Sequence, residues 1–151
     1  MRGILRYLTM VLITAIVVGC ATPVVHNTPS GRPEIMVSGK VGKRASAEVT
    51  NLMVNKGYNV KSSSDSLIVF EKPMEGAMAA MLLGSRYDST PAARVTYNII
   101  ETETTTRVIA SFAAITNPGS AFERITPMNN NQDTAAYQMR LNEIKVKLGG
   151  G

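Results

Sequence analysis

The stretch ARVTYNIIE-TETTT-RVIASFAAIT, residues 93–116, constrains the fold more than any other part of the chain. Val95, Tyr97 and Ile99 alternate with Arg94, Thr96 and Asn98, and after the polar run TETTT the residues Val108, Ala110, Phe112 and Ala114 share one face. Side chains of a strand point to opposite faces in turn, so this period of two makes each run half-buried. Two such runs around a polar turn form an antiparallel hairpin, and its apolar face needs a second layer to cover it.

The rest of the chain supplies that layer. EIMV from Glu34 is a short apolar strand, SGKVG breaks it, and a helix is predicted over Lys43 to Lys56 with Ala45, Val49, Leu52 and Met53 on one face. Gly57 follows where a helix commonly ends in a left-handed residue. YNVKS and SLIVFEK around SSD read as a hairpin. A last helix from Gln132 to Leu148 carries the stripe Tyr137, Leu141, Ile144 and Leu148, with Lys145 and Lys147 suited to the negative pole of its dipole. The expected class is α+β: an antiparallel sheet of about five strands with two helices on one face, order β-α-β-β-β-β-α. This element order resembles the TATA-binding-protein-like and helix-grip folds, which include the domains of BamC, a lipoprotein of the outer-membrane assembly machine. The likeness implies a fold and no shared site.

The single cysteine, Cys20, follows an uncharged run from Tyr7 to Gly19, itself preceded by Arg2 and Arg6. A membrane-spanning helix needs at least about 17 apolar residues, and this run is shorter. A basic start, a short apolar middle and small residues at its end are the anatomy of a secretory signal. Val17-Val18-Gly19-Cys20 resembles the lipobox of bacterial lipoproteins. That resemblance implies a diacylglyceryl thioether on Cys20, cleavage between Gly19 and Cys20, and acylation of the new amino terminus. Two or three acyl chains anchor a protein stably. In a Gram-negative host, Ala21 in place of aspartate implies the periplasmic face of the outer membrane. GSRYDSTPAARVTY and TNPGSAFER also resemble stretches of small proteobacterial envelope lipoproteins, a likeness that brings no activity with it.

The predicted organisation is therefore a signal over residues 1–19, a lipidated Cys20 with a flexible tether over 20–33, and one periplasmic domain over 34–151. ATPVVHNTPSGRP, residues 21–33, has no helical or alternating period and is expected to stay extended and solvated. Its His26, the only histidine, is expected to carry no function there. Of 16 lysines and arginines, Arg2 and Arg6 leave with the signal, so against 11 acids the remaining charge is +3. Nucleic-acid binders concentrate cations on one face; here they are scattered, and no nucleic-acid partner is expected. The domain offers no histidine, no free thiol, no Gly-rich phosphate loop and no zinc-ligand cluster, so neither metal, cofactor nor nucleophilic catalysis is predicted. Glu101 and Glu103, at a hairpin tip, are expected to be solvated charges.

Two long loops remain. Residues 72–91 contain Met78, Met81, Leu82, Arg86 and Asp88; they either cap an open end of the core or form a lid or apolar contact patch. In residues 116–131, Pro118-Gly119 marks a type II turn. There Phe122 is expected to anchor the loop to the core and leave Glu123 and Arg124 exposed. If the loops meet, Met78, Met81, Leu82, Arg86, Asp88, Glu123 and Arg124 form one contact surface. The favoured reading is a non-enzymatic envelope lipoprotein that docks a protein partner; the alternative is a carrier or sensor of a small apolar ligand between the sheet and the last helix. Replacing Cys20→Ala is expected to abolish metabolic labelling with a fatty acid, because no other thiol can accept the lipid. Label retained on the variant contradicts the anchor.

Overall fold

A computed structural model of the protein describes residues 23–76, 79, 82 and 89–149. Gly19, Cys20, Met78, Met81, Arg86 and Asp88 lie outside the described residues. In chain order the elements are β1 (Glu34–Ser38), α1 (Gly42–Asn55), β2 (Asn59–Ser63), β3 (Leu67–Pro73), β4 (Ala92–Glu101), β5 (Thr105–Thr116), β6 (Arg124–Pro127) and α2 (Asp133–Lys147). The class is α+β, and the order of elements is the expected one with a sixth strand inserted before the last helix.

The central hairpin pairs β4 with β5 along almost their whole lengths, from Ala92↔Ile115 to Glu101↔Thr106. The sheet order is β1-β5-β4-β3-β2, antiparallel throughout, and β6 also pairs with β5. β5 outruns β1: Ser38 to Glu34 occupy Thr105 to Ile109, while β6 takes Ala113 to Thr116. That explains the strand missed in the sequence. RITP is short, exposed at every position and ends in proline, so it carries no period of two. It becomes a strand because β5 offers it unpaired backbone groups, which must find partners somewhere.

One face of the sheet is the core. Ile35, Val37, Ile68, Phe70, Val95, Tyr97, Ile99, Val108 and Ala110 meet Ala45, Val49 and Met53 of α1 and Tyr137, Leu141 and Ile144 of α2 in one buried cluster. A fully buried Val, Leu, Ile, Phe or Met side chain in such a cluster contributes about 1.5–3 kcal/mol. Both helices thus share a face, as the stripes on them require. Phe70 meets Tyr97 edge-on at 6.0 Å between ring centres, and Phe112 meets Tyr137 at 4.6 Å. Both contacts lie in the favourable range for aromatic pairs. The Tyr97 hydroxyl, fully enclosed, sits 3.6 Å from the Met53 sulfur, and burial pushes its acidity well down.

Helix α1 begins with no side-chain cap from its own flank. The orphaned N–H of Gly42 instead donates to Glu101 Oε2 at 2.6 Å, so one expected solvated charge is an N-terminal cap supplied by the β4–β5 hairpin. Its sign also suits the positive helix end. Fully buried Thr106 ties the preceding turn, accepting from Val41 N–H and donating to the Gly39 carbonyl. Glu103, by contrast, is an exposed partner of Lys40 at 2.8 Å.

The expected solvated tether is corrected over its described part. Val24 N–H donates to the Asn130 carbonyl at 3.0 Å. His26 is 8% exposed, with Nε2 at 2.8 Å from Thr134 Oγ1. Gln138 grips the backbone of Glu34 from both sides: its carbonyl accepts from Glu34 N–H at 2.7 Å, and its amide donates to the Glu34 carbonyl at 3.0 Å. Residues 24–34 therefore run beside α2 and, through Pro33 and Arg32, continue along β5 beyond the end of β1. Sequence periodicity could not show this, because the segment is held by individual hydrogen bonds rather than by an apolar stripe.

Removing the helix cap with Glu101→Ala is expected to cost about 1 kcal/mol, the usual size for an N-cap. Gly42→Ala places a Cβ 2.7 Å from Glu101 Oε2 and is expected to weaken the same contact. A denaturation midpoint unchanged in both variants contradicts the capping role.

Candidate functional site

Described residues of the two long loops border the same hollows. Leu82 of the first lines one open hollow of about 640 Å³ with Ala114 of β5 and residues Thr126 to Asn131 of the second. Thr90 and Pro118 share another, smaller hollow with Lys61 and Glu71. Of the predicted contact residues, Leu82, Glu123 and Arg124 are thus at one end of the domain. Arg124 is exposed and Leu82 half-buried.

The anchoring of the second loop is the reverse of the expectation. Phe122 is 79% exposed, and Glu123 is the residue that holds the loop down. Asn117 and Ser120 close the expected turn, with Gly119 at φ +75°. Glu123 Oε2 accepts from Gly119 N–H at 2.9 Å, and Oε1 meets Arg94 Nη2 at 2.8 Å. Arg94 also reaches Glu71 at 2.5 Å, and Glu71 meets Lys61 Nζ at 2.8 Å. Alternating charges therefore run from β2 through β3 and β4 to the loop. They lie on the face of the sheet away from α1 and α2, beside the buried cross-strand pair Ala92 and Ile115. Glu71 and Arg94 are cross-strand partners in register, a pairing visible only once the register of β3 and β4 is known.

Chemically this network is satisfied rather than poised. Contact with Gly119 N–H, and then with Arg94, holds the Glu123 carboxyl below the ordinary carboxylate range. Glu34 is likewise lowered, first by the hydrogen bonds from Arg107, which donates to both its oxygens. Neither is available as a base near neutral pH. Among the described residues no three His, Cys, Asp or Glu side chains group as metal ligands.

Between the start of α2, the end of α1, the start of β4 and the second half of β5 lies a further hollow of about 320 Å³. Tyr58, Phe112, Met128 and Tyr137 give it apolar walls; Lys56 and Asp133 stand at its sides. The Lys56 ammonium lies 5.1 Å from the Tyr137 ring centre, and the Tyr137 hydroxyl donates to that of Tyr58 at 3.1 Å. Its volume falls at the lower bound for small-molecule sites. Its position, between sheet and last helix, is the one anticipated for a ligand.

No protein-family model matches this sequence, and no curated protein matches it.

The lowered groups define an acid response. Glu34 and Glu123 lie below their ordinary value near 4.5, so the stability they contribute is present above that value and is lost as pH falls through their depressed folded values. Burial lowers His26 from 6.5; its contribution is whole above 6.5 and declines as pH falls below it. Denaturation midpoints measured from pH 7.5 to 3 are expected to fall in two stages. Glu34→Gln with Glu123→Gln is expected to flatten the lower stage alone. A double variant with the parent's acid slope contradicts the assignment.

Proposed function

We propose that this protein is a lipid-anchored envelope lipoprotein on the periplasmic face of the outer membrane, with a non-enzymatic role: docking a protein partner through this loop end. The observation that carries the docking reading is Phe122. A loop closed by its own turn and pinned by the Glu123 ion pairs holds up an aromatic side chain that is 79% exposed. Rigid exposed aromatics lose little entropy on association and commonly dominate interfaces. The resemblance of Val17–Cys20 to a lipobox supports the anchor, and the resemblance of the element order to that of BamC-like domains is in keeping with an envelope module.

A second reading has its own support in the 320 Å³ hollow beside Tyr58, Phe112 and Tyr137: carriage or sensing of a small apolar molecule. Native mass spectrometry of protein extracted from cells separates the two, since a carrier arrives with a small-molecule adduct.

A photoreactive amino acid at position 122, activated in intact cells, is expected to capture a defined protein. The companion variant Phe122→Ala is expected to shift stability by no more than about 0.5 kcal/mol, because the ring is outside the core. Absence of any protein adduct from correctly localised protein defeats the docking reading.

A further inference from the structure

We infer that residues 24–34 are a strap that orients the domain on its membrane, with the exit of the strap, the rim of the Leu82 hollow and strand β6 resting on the lipid headgroups. The inference rests on the proposal that Cys20 carries the anchor.

Length decides it. Left free, residues 21–33 would reach roughly 45 Å when extended, more than the roughly 35 Å diameter of a globular domain of this size. The domain would then tumble and present every face to the bilayer. The strap removes most of that reach. Val24 is tied to Asn130 at 3.0 Å, so only residues 21–24 remain between the lipidated sulfur and the folded surface. They span at most about 14 Å, less than half the domain's diameter. The end of the domain nearest Val24 is thereby held close to the headgroups.

That end is identifiable. β1 and β6 flank the same side of β5, and the strap runs from β1 along this side toward β6. Asn130, which receives Val24, shares the Leu82 hollow with Thr126 and Pro127 of β6. Around the exit Val25 is 88% exposed and Ile125 58%, and Arg124 is exposed beside it. Apolar side chains next to a cation and amides suit the interfacial layer of a bilayer carrying anionic lipid. The opposite end of β5, by the turn with Glu103, lies about 37 Å away along the strand at 3.4 Å per residue.

The strap's central fastening is directional. The Thr134 hydroxyl donates to the Asn131 carbonyl at 2.6 Å, so it accepts from His26, whose Nε2 bears the proton. Loss of this contact leaves Val24 held by one backbone bond. Any protein partner that reaches Phe122 then belongs to the same membrane, at headgroup level.

The test uses the full-length lipidated protein in vesicles of phosphatidylethanolamine and phosphatidylglycerol containing a few per cent of a lipid with a nitroxide on its headgroup. A fluorophore is attached through Ile125→Cys on β6 or, separately, Glu103→Cys, the Cys20 sulfur being consumed by the lipid. Quenching at position 125 is expected to exceed that at 103 several-fold, and Thr134→Val or His26→Ala is expected to bring the two together. Equal quenching in the unaltered strap, or stronger quenching at 103, overturns the orientation while leaving the anchor intact. A difference that survives both strap variants overturns the role of the strap. Protein that carries no fatty acid and fails to float with the vesicles overturns the anchor reading and this inference together. The strap variants are read only alongside a cooperative melt; Thr134→Val, nearly isosteric, keeps the comparison available where His26→Ala fails to fold.

Discussion

The β4–β5 ladder is the constraint on which the other elements depend. Its register sets Val95 opposite Phe112, Tyr97 opposite Ala110 and Ile99 opposite Val108, so one face presents a continuous apolar surface with a small residue opposite the largest ring. A shift by one residue would turn that surface to the solvent side. The buried apolar residues of α1 and α2 are matched to it. The tip of the same hairpin also supplies the cap for α1, so the start of that helix is fixed by the sheet it covers.

The length of β5 has a second consequence. Because β1 covers only its first half, the remainder recruits β6, and with β6 comes the loop that bears Phe122. Between them Asn129 accepts from Phe112 N–H and the Pro33 carbonyl accepts from Ala110 N–H, so the junction leaves these donors satisfied. Glu34 joins the two systems. Its carboxylate binds Arg107 on one face of the sheet, while its backbone is gripped by Gln138 of α2 at the edge.

The two faces of the sheet are organised by different forces. The helix-covered face is apolar and close-packed. The other is crossed by the chain of charges from Lys61 to Glu123, which lies partly exposed; ion pairs in such settings contribute modestly to stability but fix geometry where several share partners. At the end of that chain of charges a carboxylate finds Arg94 and the Gly119 N–H, and through these Glu123 holds the loop while Phe122 is left outside.

The sequence by itself determined the α+β class, the order of the main elements and the stripes that form the core, because alternation and helical period report directly which residues leave water. Tyr97, Val49, Leu141 and Ile144 are buried as their spacing requires. It also carried the positive-φ glycines at 57 and 119, since only a residue without a Cβ adopts those angles cheaply. Tertiary structure alone decided the rest: the strand status of RITP, the role of Glu101 as a cap, the reversal between Phe122 and Glu123, the hollows bordered by both loops and the fastening of His26 to Thr134. Each of these depends on contacts between separate elements, several of them single hydrogen bonds. Such contacts have no period, and the directional hydrogen bonds that make them exist only once the ladder has brought their partners within about 3 Å.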